Sequence, residues 1–248
     1  MDTSKRSVEV TFKIGDMQAT QYASVLVRHT HLGKDEWKQR NMVFEGLDPR
    51  SGESLWKRTY LKEAPQIVSR RNAAVLVFMW PANSDGAKEE IKSDTNLNRW
   101  SQAGAGSEDY FLEAVEARTG KTLAGLVVHS GKGSFRITEA DAAGDWMAVA
   151  DSSNRLLIYS LSSGQQTEKL FGRRPVISGA SGLLAAQNER GQLTVYDLGA
   201  LAKRDEYVLT SPIVFVEFAP DGKRLFVLTA KQSAYVLEMT DKAAAAKN

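Results

Sequence analysis

The sequence predicts an all-β fold assembled from repeated four-stranded antiparallel sheets, and three observations carry that expectation. Short apolar runs rich in Val, Ile, Phe, Tyr and Leu alternate with Gly, Pro, Asp and Ser along most of the 248 residues, as strands joined by tight turns do. The stretch 205–239, DEYVLTSPIVFVEFAPDGKRLFVLTAKQSAYVLEM, shows the unit most plainly, with apolar runs at 207–209, 213–218, 225–228 and 234–237. The turn at 219–223 carries its own chemistry: Pro220 presets φ, Asp221 follows it, and Gly222 can take the positive φ that a hairpin needs. This stretch is expected to be a four-stranded meander. The third observation is that looser copies of it recur upstream.

The recurring phrase is a β-rich run, a polar position, a Ser/Thr-Gly turn and a second β-rich run. It starts at Val43, Phe111, Leu156 and, with a looser turn, Leu193, and a terminal copy starts at Ala234. The polar positions Asp48, Glu116, Ser160, Asp197 and Glu238 are spaced by 68, 44, 37 and 41 residues. Between phrases lie strand-turn-strand pairs at 66–69 and 73–80, at 135–139 and 146–150, and at 175–179 and 183–187. Four strands at a period near 40 are expected of β-propeller blades. One four-stranded sheet has two faces and cannot bury both alone, whereas blades packed face to face around an axis bury both. A two-sheet sandwich also accommodates short strands and regular turns; the near-constant period favours blades.

The blades are expected at about 7–48, 53–116, 121–161, 165–198 and 204–239, followed by a disordered tail at 241–248. The first has strand candidates at 8–14, 22–28 and 41–46 and no convincing fourth. Five blades either close a small ring or form the C-terminal part of a larger one. The one long interval contains an insertion at 81–109, polar and rich in Gly, Ser and Asn. Connections beyond about 15 residues are uncommon in compact domains and are often functional. Within it, 87–92 suits a single helical turn, and the remaining composition predicts a mobile loop. Trp100 stands alone in this polar setting, and with Asn96 and Arg99 it forms the candidate binding group, because tryptophan is enriched at recognition hot spots.

Bulk composition narrows the function classes. With 32 Lys plus Arg against 30 Asp plus Glu, the chain lacks the concentrated positive charge of a nucleic-acid binder. The absence of cysteine excludes disulfides and thiolate-ligated metals. No apolar stretch approaches the roughly 18 residues of a membrane span. The N-terminal residues carry no hydrophobic signal core, so the chain as written reads as cytoplasmic; a truncated N-terminus would allow a periplasmic or extracellular setting.

Several constellations read as structural. His29 and His31 share one strand face and would make half a metal site, but the remaining histidine, His129, is distant and no carboxylate phrase completes a ligand set. Ser130-Gly131-Lys132-Gly133-Ser134 departs from a phosphate-binding loop, which needs a longer glycine spacing and a following helix. Ser130, His129 and Asp145 supply triad residue types without a nucleophile-elbow phrase. Trp80 and Trp146, at the ends of apolar strands, are expected to be packing residues. No catalytic residue, metal ligand or cofactor is assigned.

Residues 48–56, Asp-Pro-Arg-Ser-Gly-Glu-Ser-Leu-Trp, resemble the Asp-x-x-Thr-Gly-x-x-x-Trp phrase of quinoprotein-like (PQQ-like) propellers, in which the tryptophan stacks between neighbouring blades. Residues 218–225, Phe-Ala-Pro-Asp-Gly-Lys-Arg-Leu, resemble the Phe-Ser-Pro-Asp-Gly-x-x-Leu hairpin of bacterial WD40 and YVTN-type propellers. The resemblance spans roughly residues 40–240 and implies structural roles for Asp48, Gly52, Trp56, Gly120, Gly164, Pro220, Asp221 and Gly222. The chain departs from it at Ala124 and Glu168, where further docking tryptophans would stand, and in lacking the vicinal cysteines of many quinoprotein dehydrogenases. The resemblance therefore implies the shape without the cofactor. The expected function is a non-catalytic scaffold that binds a protein or peptide through its loops. The alternative is a small-ligand-binding, hydrolytic or oxidoreductase propeller with a site in its central depression; fold alone does not decide between them.

Overall fold

A computed structural model of the chain describes residues 12–14, 17–22, 25–31, 42–60, 62–70, 73–93, 106, 108–130 and 135–239. These fall into two compact units, Met1–His129 and Ser130–Asn248.

In the first unit, β1 (Phe12–Ile14), β2 (Met17–Tyr22), β3 (Val25–His31), β4 (Met42–Leu47) and β5 (Ser54–Tyr60) form one sheet in that order. The second sheet is β6 (Gln66–Ile67), β7 (Val75–Pro81), β8 (Tyr110–Glu116) and β9 (Thr122–Val128), again in chain order. Adjacent strands are antiparallel throughout. The strand candidate at 22–28 resolves into the end of β2 and most of β3, paired Tyr22 to Val25. β7, VLVFMWP, is buried on both faces, which explains its unbroken apolar run.

One face of the first sheet packs on the second. Tyr22, Val25, Val27, Phe44 and Tyr60 meet Leu76, Phe78, Trp80, Phe111 and Val115 in one cluster. Its aromatic rings approach edge to face, with centroids 5.3 Å apart for Phe44 and Tyr60 and 5.6 Å for Phe44 and Phe78, the geometry their quadrupoles favour. Trp56 bridges the two sheets: its Nε1 donates to the Ala117 carbonyl at 2.8 Å. The indole is seated by two glycines. A Cβ at Gly46, its cross-strand partner, would penetrate the ring, and one at Gly120 would lie 2.6 Å from Trp56 Cγ. Asp48 holds the preceding turn by accepting from the Arg50 and Ser51 amides at 2.8 and 3.3 Å, which also keeps its carboxyl below the ordinary range.

The insertion leaves β7 and rejoins β8 as a pinned loop, with the Ala82 amide donating to the Asp109 carbonyl at 2.8 Å. Its first part is helical, over a longer span than the single turn expected at 87–92. Helix α1 (Asp85–Ser93) is capped by Ser84, whose Oγ accepts from the Ala87 amide at 3.1 Å, and it carries Asp85 in its first turn and Lys92 in its last, both favourable to the dipole. Ala87 is fully buried in the aromatic cluster. Gly86 admits no Cβ because the Glu63 carbonyl and Trp80 occupy that space.

The second unit contains three sheets. The third sheet of the chain is β10 (Ile137–Ala143), β11 (Trp146–Asp151), β12 (Arg155–Ser160) and β13 (Gln166–Phe171). The fourth is β14 (Arg173–Ser178), β15 (Leu183–Gln187), β16 (Leu193–Asp197) and β17 (Ala202–Tyr207). The fifth has β18 (Ile213–Phe218), β19 (Arg224–Thr229) and β20 (Ala234–Glu238). Ala148, Ala150, Leu156 and Ile158 of the third sheet pack on Ile177, Leu184 and Ala186 of the fourth. The opposite face of the fourth, with Val176, Leu183, Ala185 and Val195, packs on Ile213, Val216, Leu225 and Val227 of the fifth. Stacking is therefore head to tail. Asp141 strengthens the first contact by accepting from the Ile177 amide at 2.8 Å.

The hydrogen-bonded sheets are cut one strand away from the phrase-based division. In particular, the first run of 205–239 is not a strand of the final meander: β17 ends at Tyr207 and pairs with β16. Its charged run, Lys203 to Glu206, suits an outer strand, and the break at Thr210-Ser211-Pro212 precedes the next sheet. Gly52, Gly120, Gly164 and Gly222 all have positive φ, between 68° and 74°. Gly52 has open space around it and Gly120 is crowded by Trp56, so the two separate backbone strain from packing. Gly52→Ala should cost about 1–2 kcal/mol through φ alone, and Gly120→Ala about 1–3 kcal/mol more through overpacking. Urea unfolding of both variants checks this; equal losses would show that the tryptophan seat is not tight.

Candidate functional site

The most concentrated charged group in the first unit lies between its two sheets. Arg58 on β5 donates from Nη1 to both Glu113 carboxylate oxygens at 2.9 Å and from Nη2 to Thr122 Oγ1 at 2.7 Å. Thr122 Oγ1 in turn donates to Glu113 Oε1 at 2.5 Å. Glu90 of α1 stands 3.9 Å from Nη1, and the guanidinium lies 5.7 Å from the centre of the Phe78 ring. Burial draws the Arg58 guanidinium's pKa down, and the charges of and hydrogen bonds to Glu113 and Tyr60 together more than offset this, leaving it above its ordinary value. Burial first, then the same carboxylate, push the neighbouring Tyr60 phenol well above its ordinary value. Glu113 has no exposed surface. A carboxylate that is sealed and engaged in this way locks β5, β8, β9 and α1 together; it has no open side on which to meet a substrate.

A second polar group ends the insertion. Asp109 is buried, accepts from the Gly106 amide at 2.7 Å and lies 2.8 Å from His129 Nδ1. His129 is thus held by Asp109. Asp145, the acid that residue types alone would have offered to it, is engaged elsewhere: it accepts from Ser160 Oγ at 2.9 Å and from the Ser162 amide and hydroxyl at 2.7 and 3.0 Å. His29 lies on β3 with its ring edge to Phe44 at 5.6 Å. Among the described residues no group of three or more His, Asp or Glu side chains is placed to hold a metal, and no helix is long and apolar enough to cross a membrane.

The exposed surface of the fifth sheet differs in kind. Along β19, burial alternates strictly, with Leu225, Val227 and Thr229 inside and Arg224, Phe226 and Leu228 outside. The outward positions form rows across the sheet, Phe215 opposite Leu228 opposite Ala234, and Glu217 opposite Phe226 opposite Val236. Phe215, Phe226, Leu228 and Val236 are 41, 38, 38 and 54% exposed. The water-facing side of an antiparallel sheet is ordinarily polar, so this contiguous apolar face is the candidate interaction surface. Sequence reasoning passed over it, although the unbroken run Leu225-Phe226-Val227-Leu228 is the signal of a strand built to be covered on both sides.

Of the residues singled out in the sequence, Trp56 and Gly120 meet at the inter-sheet seat, Arg118 reaches Asp48 Oδ2 at 3.3 Å, and Gly52 closes the Asp48 turn, its amide donating to the Asp48 carbonyl at 2.8 Å. Pro220, Asp221 and Gly222 form the β18–β19 turn, in which Asp221 Oδ1 accepts from the Lys223 amide at 3.0 Å. A Cβ on Gly222 would lie 2.6 Å from the Ser178 and Ser181 hydroxyl oxygens. Gly164 sits in the β12–β13 turn, its amide donating to the Ser160 carbonyl at 2.9 Å. Trp80 is fully buried and Trp146 packs partly buried on the core between the third and fourth sheets. Asn96, Arg99, Trp100 and residues 131–134 lie outside the described residues.

Among the described residues, five antiparallel sheets of this build, each in chain order, make the chain an all-β protein with the repeated sheets of a β-propeller. No protein family matches it, and no curated protein does. Among solved structures it is similar to the crystal structure of BamB from Moraxella catarrhalis, at 12% identity over 90% of this chain and 70% of that one, with a TM-score of 0.44.

Removing one partner of the buried pair should be costly, since the other charge stays desolvated. Glu113→Leu alone is expected to lose about 3–5 kcal/mol, and Arg58→Met combined with it to recover most of that. A double-mutant cycle by chemical denaturation measures the coupling. Additive losses would assign the cluster no locking role.

Proposed function

We propose that this chain is a protein- or peptide-binding scaffold whose principal contact surface is the outward face of the fifth sheet. The observation that carries the reading is the contiguous row of Phe215, Phe226, Leu228 and Val236 in water. Single exposed hydrophobic residues are ordinary on any protein, whereas contiguous apolar patches mark interaction sites. The flanking charges, Glu217, Arg224 and Glu238, give the patch the apolar centre and polar rim of a recognition surface. Part of the insertion serves as a second contact, through Asn96, Arg99 and Trp100. Its helix α1 is anchored to the core on one side through Gly86 and Ala87.

Replacing Phe226 and Leu228 together by Ser should leave stability within about 1 kcal/mol, since both side chains are already partly in water. The same variant should lower binding of a hydrophobic dye and reduce recovery of a cross-linked partner about tenfold, a loss typical of removing hot-spot contacts. Trp100→Ala should reduce recovery without changing dye binding. Unchanged recovery in both variants would overturn the reading.

A further inference from the structure

We propose that one end of the second unit, where the first strands of its three sheets (β10, β14 and β18) begin, binds an acidic peptide segment that carries apolar residues between its carboxylates. The site is separate from the outward face of the fifth sheet. It goes beyond the scaffold reading by assigning a further partner surface and the chemistry of its ligand.

The backbone gathers these three strand entries. Ile137 pairs with Asp151, Arg173 with Gln187 and Ile213 with Thr229, so each entry lies beside the turn between the second and third strands of its own sheet. Neighbouring sheets are tied at the same level. The Gly172 amide, next to Arg173, donates to the Asn154 carbonyl of the β11–β12 turn at 2.8 Å, and Arg174 Nη1 donates to the Ile213 carbonyl. Each entry also carries a register irregularity, at Thr138, at Arg174-Pro175 and at Val214. Bulges of this kind re-aim side chains and are over-represented beside functional sites. Thr138, Arg174 and Val214 are all exposed. Arg174 takes its place with a φ of 54°, which a long side chain adopts only where the surrounding structure holds it.

Positive charge collects at this end. Arg136, Arg173, Arg174 and Arg190 are all exposed, and Lys231 stands in the β19–β20 turn. Among the described residues none of these four guanidiniums has a carboxylate within ion-pair distance, and the Arg173 bond, from Nε to Gln187 Oε1 at 3.1 Å, uses neither of its terminal nitrogens. Other arginines of the chain are matched: Arg28 to Glu45, Arg58 to Glu113, Arg118 to Asp48 and Arg155 to Asp151. Two carboxylates lie in the entries and their turns. Asp151 is buried and accepts from Arg155 and from the Ser153 and Arg155 amides, and Glu189 is exposed. Free guanidinium groups favour carboxylates, which they grip through two parallel N–H donors.

Apolar side chains stand beside the arginines. Phe171, two residues before Arg173, is 55% exposed; Val208, which follows β17, is 75% exposed and Val214 is 53% exposed. β13 and β17 both finish at this end, since Phe171 pairs with Arg155 and Tyr207 with Leu193. A bare anion such as phosphate would gain nothing from these side chains. A nucleic-acid strand would use aromatic faces for stacking, and Val208 and Val214 are aliphatic. A peptide uses both kinds of group, with carboxylates on the guanidiniums to steer and orient it and an apolar side chain as anchor.

The probe is the fluorescein-labelled peptide Asp-Glu-Leu-Asp-Phe-Glu-Asp, added to the full chain at low salt and followed by fluorescence anisotropy. Saturable binding that weakens as salt is raised is expected, because exposed ion pairs are screened. The counterparts Asn-Gln-Leu-Asn-Phe-Gln-Asn and Asp-Glu-Ser-Asp-Ser-Glu-Asp should each bind about tenfold more weakly or worse. Arg136→Gln, Arg173→Gln and Arg190→Gln together should weaken the acidic peptide about tenfold, the sum of three exposed ion pairs, with little change in the unfolding midpoint. The corresponding triple Lys variant keeps the charge, loses the two-donor grip and should fall between. Should the triple Gln variant fail to fold, Arg136→Gln with Arg190→Gln takes its place, with a loss of about fivefold expected; neither side chain has a hydrogen bond among the described residues. Phe226→Ser with Leu228→Ser should bind the peptide as the unaltered chain does, which keeps failure here distinct from failure of the fifth-sheet reading. The proposal is overturned by absence of binding, by equal binding of the amide or serine peptide, by unchanged affinity in the Gln variants, or by loss of binding in the Phe226 and Leu228 variant. Equal or tighter binding of an oligothymidylate of the same charge also overturns it, by assigning the end to nucleic acid.

Discussion

Trp56 can donate to the Ala117 carbonyl and lie across two sheets only because Gly46 and Gly120 put no side chain where its indole sits. Close approach of turns and strands without an intervening Cβ is the constraint on which the rest of the packing depends. It recurs in the second unit in smaller form. The β18–β19 turn settles on the β14–β15 turn because Gly222 leaves room for the Ser178 and Ser181 hydroxyls, and the β14–β15 and β10–β11 turns meet at Gly179 and Gly144. Such seats set the spacing between sheets, and the apolar faces then close over each other. The order of causation matters: a sheet face rich in Val, Leu and Ala is sticky in any register, whereas a glycine seat admits only one.

The legible part of this fold was the part with a fixed local cost. Positive φ at Gly52, Gly120, Gly164 and Gly222 is written into the sequence because other residues are strained there, and the turns they mark partition the strands well. Asp48 and Trp56 were readable from the same phrase. Sheet boundaries were not, because a strand's neighbours on either side are both antiparallel and both close in sequence. Nothing local to residues 202–207 says whether they join β16 before them or β18 after them. Helix α1 was readable only as a short turn. Its composition is polar, and what holds it is tertiary: Ala87 fills a hole in an aromatic cluster whose other members lie on β4, β5, β7 and β8. The Arg58, Glu113 and Thr122 group was invisible for a related reason. Its members stand 55 and 64 residues apart along the chain, and each has the residue type of an ordinary exposed strand position.

The described parts of the insertion are built into the first unit. Residues 82–93 complete the core of the first unit: the Trp80 indole donates to the Glu63 carbonyl at 2.9 Å, Gly86 lies against both, and Glu90 faces the Arg58 cluster. At the far end Asp109 gathers the Gly106 amide and His129. Both ends are therefore pinned, so whatever the segment between them contacts would do so from a defined base. Pinning of this kind lowers the entropy lost on binding compared with a free loop of the same length. Excising the whole insertion would remove a core methyl group and a helix cap together.

These constraints converge on the fifth sheet. Within the second unit, head-to-tail stacking means that the fourth sheet buries one face on the third and the other on the fifth. The third and fourth sheets have both faces and both middle strands buried, and their outer strands are charged and shifted in register. The fifth has its inner face filled by the same kind of contact, with Val216, Leu225 and Val227 in the core. Its outer face keeps an interior composition in an exterior position. Burial of a Phe or Leu side chain is worth about 1.5–3 kcal/mol, so leaving Phe215, Phe226 and Leu228 in water forgoes stabilisation that polar substitutions would not need. The apolar outer face is thus a departure from how the neighbouring sheets of this chain are finished, because the positions that face outward on β18, β19 and β20 carry the residue types that the third and fourth sheets bury.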